Sequence, residues 1–326
     1  MCVGVVRDRE RIEELAQPVS VRELAGVADE SGERLASVVR ARLTGRYADY
    51  GELVAERRLL PPVHHPDPAH LILSGTGLNH TGSAMARDAM HGGGSGAGGS
   101  AATGEDDVTD SIRMFRSGVA GGKPTPGEIG VAPEWFYKGD GTALVAPEQP
   151  LPLPGFAGDG GEEAELAALY LVGRDGRPRR IGYALGNEFS DHVVERQNYL
   201  YLAASKMRAC AVGPELLLGE LPATVEIDVR VVRDGAAIWS QRFKTGEANM
   251  THSLANLEHH HFKYPMFRRP GDLHCHFLGT AALSFAAGVA AQTGDRFEIE
   301  SVTFGRPLRN ELGPQEQDRL ISVTAL

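Results

Sequence analysis

"GEEAELAALYLVGRDGRPRRIGYALGNEFS", Gly161 to Ser190, is the stretch on which the reading of the chain turns. Two largely apolar runs flank Asp175-Gly176, a favoured two-residue hairpin turn. Glu163 and Glu165 stand two apart at the head of the first run, so in a strand their side chains share one face. A regular hairpin sets Arg174 against Arg177 and, counting outward, Glu163 against Glu188. Directly opposed residues have Cβ atoms about 4.5–5.5 Å apart, so three carboxylates would converge. A single bulge would turn Glu188 to the opposite face. Close carboxylates repel in a partly buried site. They are relieved by shared protons, by arginines such as Arg179 or Arg180, or by a hard divalent cation with oxygen ligands. An E-x-E on an exposed strand is ordinarily a solvated face; convergence of a third glutamate favours the cation.

A length of 326 residues carries a prior of about two domains. The formal net charge of −10 argues against nucleic acid as the main partner. An acidic small substrate would then need local positive charge, from a metal ion or from Lys and Arg. No apolar run is long enough to cross a bilayer. The opening "MCVGVVRDRERIEEL" becomes charged too early for a secretory signal. Cys2, Cys210 and Cys275 are too scattered for a disulfide framework or a zinc pattern. The expected location is cytoplasmic.

"SVRELAGVADESGERLASVVRARL", from Ser20, has helical periodicity, with Ser20 and Glu23 set for a capping box. A short strand at Leu71 to Leu73 leads into a glycine-punctuated loop carrying His80, Ser83, Arg87 and Asp88. "GGGSGAGGSAATGEDD" reads as a mobile loop or a boundary, and it is no phosphate loop because no Gly-Lys-Ser/Thr closes it. From about Ser111 the texture turns to short strands and hairpins, with Asp234-Gly235 a further turn signal. The expected fold is α+β and β-rich, with a smaller N-terminal domain (1–105) before the main domain (106–326).

The pair Glu163-Ala164-Glu165 and the later "GYALGNEFS", Gly182 to Ser190, resemble the fumarylacetoacetate hydrolase superfamily. The resemblance runs from about Leu71 to Leu312. It implies a rolled mixed β-sandwich, usually a homodimer, whose two glutamates and following acidic residue, here Glu188, hold Mg²⁺ or a related ion. "ERQNYLYLAASKMRACAVGPEL", Glu195 to Leu216, is similar to the branch that dehydrates 2-keto-3-deoxy sugar acids, with Lys206 matching its active-site lysine. "FLGTAAL" resembles the Gly-Thr loop near the substrate carboxylate, which places Gly279 and Thr280 at the substrate.

Three departures from the pattern stand out. Glu188 replaces the usual Asp, and His192 stands where the family has an arginine, a substrate or structural contact. Ser83 and Ala86 occupy the positions of the water-activating His-Glu pair of the C–C hydrolases. Loss of that dyad favours a lyase. The resemblance implies a Mg²⁺-dependent hydro-lyase acting on a 2-keto-3-deoxypentonate to give 2,5-dioxopentanoate, with Mn²⁺ or Ca²⁺ as substitutes. In that reading Lys206 is the base, Arg87 and Asp88 on the lid serve the leaving hydroxyl, and Ser83 and His192 contact substrate. The competing readings are an acylpyruvate-type hydrolase, an oxaloacetate decarboxylase, and a non-catalytic sugar-acid sensor. Two histidine groups invite a metal reading. The run His259-His260-His261 lies in a short amphipathic helix and points in different directions. His274 and His276 share one strand face near the Gly-Thr loop, which would let one of them line the pocket, but the structural reading outweighs that one.

Overall fold

The computed structural model describes residues 2–17, 19–92 and 108–326; the glycine-rich tract falls almost wholly outside them. The chain runs β1 (Gly4–Val6), β2 (Arg11–Leu15), α1 (Val21–Ser31), α2 (Leu35–Arg40), β3 (Leu43–Asp49), α3 (Tyr50–Ala55), β4 (Leu71–Gly77), α4 (Thr81–Gly92) and α5 (Asp110–Gly121). It continues through β5 (Glu134–Asp140), β6 (Leu144–Val145), β7 (Leu151–Leu153), β8 (Ala164–Val172), β9 (Pro178–Asn187), α6 (His192–Gln197), α7 (Leu202–Lys206) and β10 (Cys210–Val212). The remainder is β11 (Val225–Arg233), β12 (Ala236–Thr245), α8 (Leu254–Phe262), β13 (Leu273–Phe277), β14 (Arg296–Glu300) and β15 (Leu308–Gln315). The class is α+β and β-rich, as read from the sequence.

β8 and β9 lie inside a seven-stranded sheet of order β5-β4-β13-β8-β9-β10-β6. Every residue of β8 is buried, the continuous apolar run expected of a strand covered on both faces. One face carries Leu166, Ala168, Tyr170 and Leu185 into a core shared with Ile227, Val229, Phe297 and Leu308 of the five-stranded sheet β12-β11-β14-β15-β7. The other face carries Ala167, Leu169, Leu73, Cys275 and Phe277 into a second core. That face rolls over on itself: Lys138 of β5, at one edge, donates a 2.7 Å hydrogen bond to the Phe189 carbonyl just beyond β9.

The hairpin register has an unexpected origin. Gly173 and Arg177, not Arg174 and Arg177, close the turn, with Gly176 at φ +75°. That one-residue slip is reversed by a bulge between Leu169 and Tyr170, where Leu169 pairs Gly182 and Tyr170 pairs Arg180. Two irregularities cancel, so Ala164 pairs Asn187 and the Glu188 amide donates to the Glu163 carbonyl at 2.9 Å. The opposition of Glu163 and Glu188 is therefore present by compensation, not by regularity.

Other expectations are corrected. The helical stretch from Ser20 breaks at Gly32, which takes φ +71° and caps α1, so α2 starts afresh. The capping box itself forms, with the Glu23 amide donating to Ser20 Oγ at 3.1 Å. The loop expected at His80 to Asp88 is the helix α4, and the strand-rich region expected from Ser111 opens with α5. A division at 105/106 would separate β4 and α4 from the sheet and pocket they join. We propose that the smaller N-terminal unit, built on the sheet β1-β2-β3, ends before Pro68.

Candidate active site

Glu163, Glu165 and Glu188 bring one oxygen each to within 4.8 Å of one another, and all three are buried. Their placement depends on glycine. A Cβ at Gly75 of β4 would lie 2.2 Å from Glu188 Oε1, so only a bare backbone there lets the Glu188 side chain fold across the rolled sheet. The two arginines do not reach the cluster: Arg179 pairs with Asp29 at 2.7 Å and Arg180 with Glu258 at 2.6 Å.

Lys206, at the end of α7, supplies the local positive charge. Its Nζ donates to Glu163 Oε1 and lies 3.4 Å from Glu188 Oε2. Burial alone would depress the ammonium, but the Glu163 and Glu188 carboxylates outweigh it and hold its pKa above the ordinary lysine range. With those two carboxylates beside it, Lys206 is held as an ammonium. Burial also works to raise Glu163, and here Lys206 and His192 win, holding it well below the usual carboxylate range. Burial, then the repulsion of its two neighbours, pushes Glu165 well above that range. Burial is again the main cause that pushes Glu188 up to about 8.

This donor set fits a hard divalent cation. Glu188 Oε1 is buried with no hydrogen-bond partner. One ammonium cannot neutralise three carboxylates, and two of them resist ionisation without further positive charge. All-oxygen ligation suits Mg²⁺, Mn²⁺ and Ca²⁺.

The remaining expected residues divide. Gly279, at φ +97°, donates its amide to Glu165 Oε2 at 2.7 Å. Thr280 lines the same pocket, its Oγ1 donating to the Ala282 carbonyl at 2.9 Å. Ser83 also lines it and donates to the His80 carbonyl at 3.0 Å. His192 reaches Glu163 Oε1 with Nε2 at 3.2 Å. Arg87 faces the pocket from α4 but is engaged by Glu134 at 2.7 Å and Glu195 at 2.7 Å. Asp88 turns away from these residues and accepts a 2.7 Å hydrogen bond from Thr109.

His274 and His276 sit on the sheet face opposite the carboxylates. There His261 of α8 meets His274 at 2.9 Å, while Ser74 and Thr76 hold His276 at 2.9 and 2.8 Å. Burial pushes His261 down to about 4, so this group is a neutral structural chain.

Four buried groups escaped the sequence reading. Glu195 lines the pocket one helical turn after His192. Glu134 and Lys138 alternate with Phe136 on the inward face of β5, a period-two signal that "EWFYKGD" does carry. Glu162 points the other way from its neighbours and accepts from the Ser284 amide and hydroxyl at 2.8 and 2.7 Å.

A rolled sheet closing over a buried carboxylate triad and a lysine can be set beside known proteins. The fumarylacetoacetate (FAA) hydrolase C-terminal family matches residues 114–313, and the chain belongs to that family. It is 31% identical over 120 residues to a probable 2-keto-3-deoxyxylonate dehydratase of Haloferax volcanii, a match taking in 35% of this chain and 40% of that protein. The alignment thus spans well under half of that curated relative. Among solved structures, the apo form of 2-keto-3-deoxy-D-arabinonate dehydratase superposes with a TM-score of 0.67 at 17% identity, covering 97% of this chain and 96% of the other. A form of that enzyme complexed with magnesium and 2,5-dioxopentanoate gives 0.66 at the same identity and coverage. A 2-hydroxyhepta-2,4-diene-1,7-dioate isomerase from Mycobacterium marinum gives 0.54 at 19% identity, over 97% of this chain and 93% of the other. At these identities the structural likeness establishes the fold.

Proposed function

We propose that the chain is a divalent-cation-dependent dehydratase of 2-keto-3-deoxy sugar acids, acting on a pentonate. The observation that carries this reading is the buried triad Glu163, Glu165 and Glu188 with Lys206 Nζ set among its oxygens. A cation held by the three glutamates, Mg²⁺ by analogy with the magnesium-bound relative, would supply Lewis-acid stabilisation of negative charge at the 2-keto oxygen.

The chain's own residues would do the rest. Gly279 and Thr280, tied to Glu165 through the Gly279 amide, would seat the substrate carboxylate. Lys206 is the nitrogen placed to take the C3 proton, and it would do so once a cation on the glutamates offsets the carboxylate charge that holds it as an ammonium. Arg87 and Glu195, an ion pair on the pocket wall, would orient the departing C4 hydroxyl. Asp88, turned toward Thr109, is left out of the chemistry. Breaking C3–H and C4–OH releases water and leaves a C3=C4 double bond. Moving the C5 hydrogen to C3 and the C5 hydroxyl proton to C4 then isomerises that product to the aldehyde of 2,5-dioxopentanoate.

The absence of a His-Glu pair at Ser83 and Ala86 weighs against the hydrolase. A sugar-acid sensor would keep the cation without turnover. Lys206→Ala separates the cases: the enzyme reading expects turnover to fall by at least the 10²–10⁴-fold that a placed acid or base contributes, with the cation still bound. Unchanged turnover in that variant would remove Lys206 from the reaction. Wild-type protein that binds cation and pentonate without consuming it would establish the sensor.

A further inference from the structure

The proposed function leaves His192 without a task. It stands at the first position of α6, whose N-cap Asp191 accepts from the Val194 amide at 2.9 Å. Its ring lies in a built slot. A Cβ at Gly161 would come within 2.5 Å of Nδ1, so a bare backbone is needed beneath the imidazole. Phe285 stacks on the ring at 5.1 Å between centroids and 23° between planes. The ring is 1% exposed, with Nε2 3.2 Å from Glu163 Oε1. Nδ1 has no hydrogen-bond partner and lies 3.9 Å from the Asp159 carboxylate, which sits on the side away from the triad.

We propose that His192 is a positioning residue for Glu163 and a determinant of cation affinity, not a substrate contact. This rests on the reading that the triad holds a divalent cation. Three observations support it. Phe285 covers one face of the ring and the bare Gly161 backbone lies close to Nδ1, so although the ring borders the pocket, its Nε2 is already engaged by Glu163. Nε2 is the ring nitrogen with a hydrogen-bond partner, and that partner is a carboxylate oxygen, which accepts, so Nε2 donates and pins Oε1 on its side of the carboxyl. Lys206 donates to the same Oε1, so the two donors fix the rotation of the carboxyl group while its other oxygen stays directed by them. A residue that locks a ligand's orientation typically affects metal affinity or activity about 10–100-fold.

The test pairs two substitutions of similar polarity. The amide nitrogen of glutamine can take the place of Nε2, whereas that of asparagine takes the place of Nδ1. Metal-stripped full-length wild type, His192→Gln and His192→Asn are titrated calorimetrically with Mn²⁺ alone, and thermal unfolding is recorded without cation. The expected result is near-wild-type affinity in His192→Gln and roughly 10–100-fold weaker binding in His192→Asn, with similar cation-free melting temperatures for the two variants. Wild-type affinity in His192→Asn, or an equal loss in both variants, would overturn the positioning role, the latter assigning His192 to packing against Phe285. No Mn²⁺ binding by the wild type would overturn both this inference and the cation reading beneath it, and so is distinguishable from failure of the inference alone.

Discussion

Substituting Gly75 by alanine tests whether the third carboxylate sits where the rolled sheet places it. The added methyl would lie 2.2 Å from Glu188 Oε1 and 2.6 Å from two atoms of the Phe136 ring. Phe136 has little room to retreat, since it is buried and Lys206 Nζ stands 5.2 Å from its centroid. Glu188 is the more mobile neighbour, because its Oε1 has no hydrogen bond to lose. Overpacking of this kind costs about 1–3 kcal/mol, enough to lower the melting temperature by several degrees. Displacing one of the three proposed ligands should weaken cation binding by more than 10-fold, read by Mn²⁺ titration. Gly77→Ala is the control: its methyl would meet Glu134 Oε2 at 1.6 Å, so it should destabilise the fold and spare the cation. Wild-type affinity in Gly75→Ala, with an unchanged melting temperature, would refute the seating of Glu188 against β4.

Two further outcomes are expected. Glu188 has its pKa raised by burial from 4.5 to about 8. In the cation-free chain the folded state keeps a proton that the unfolded state releases, so this contribution to stability is full below about 4.5 and is lost as pH rises through 8. A cation competes with that proton, so the rise in melting temperature on adding Mg²⁺ should grow from pH 6 to pH 8 and level off above; a shift that shrinks over that range would contradict it. Arg87→Ala leaves Glu134 and Glu195 buried without their shared partner, a loss of about 3–5 kcal/mol read by chemical denaturation. A loss below 1 kcal/mol would mean that water replaces the guanidinium freely.

Much of the site was legible because it rests on local arithmetic. Two glutamates at i and i+2 share a strand face, and a turn signal fixes what lies opposite. The count reached Glu188, although a three-residue turn and a bulge each broke the assumed regularity and cancelled. Cancellation of that kind has a physical cause: the two faces of β8 are not equivalent, and a slip by one residue would turn Glu163 and Glu165 from the pocket into the apolar core shared with the five-stranded sheet. Features set by the roll of the sheet were not legible. Gly75 and Gly77 read as loop punctuation, whereas they are strand positions kept bare for Glu188 and Glu134. That misreading also hid α4, and with it the inward aim of Arg87 and the outward aim of Asp88. His274 and His276 were placed correctly on one face, but the sequence does not say which face meets the carboxylates.

The central claim is most directly tested by NMR of the purified protein with Mg²⁺ and a panel of D- and L-2-keto-3-deoxypentonates, with an acylpyruvate and oxaloacetate alongside. The account predicts one pentonate converted to 2,5-dioxopentanoate, with conversion abolished by a chelator and restored by Mg²⁺. Cleavage of the acylpyruvate or loss of CO₂ from oxaloacetate, with every pentonate untouched, would contradict it.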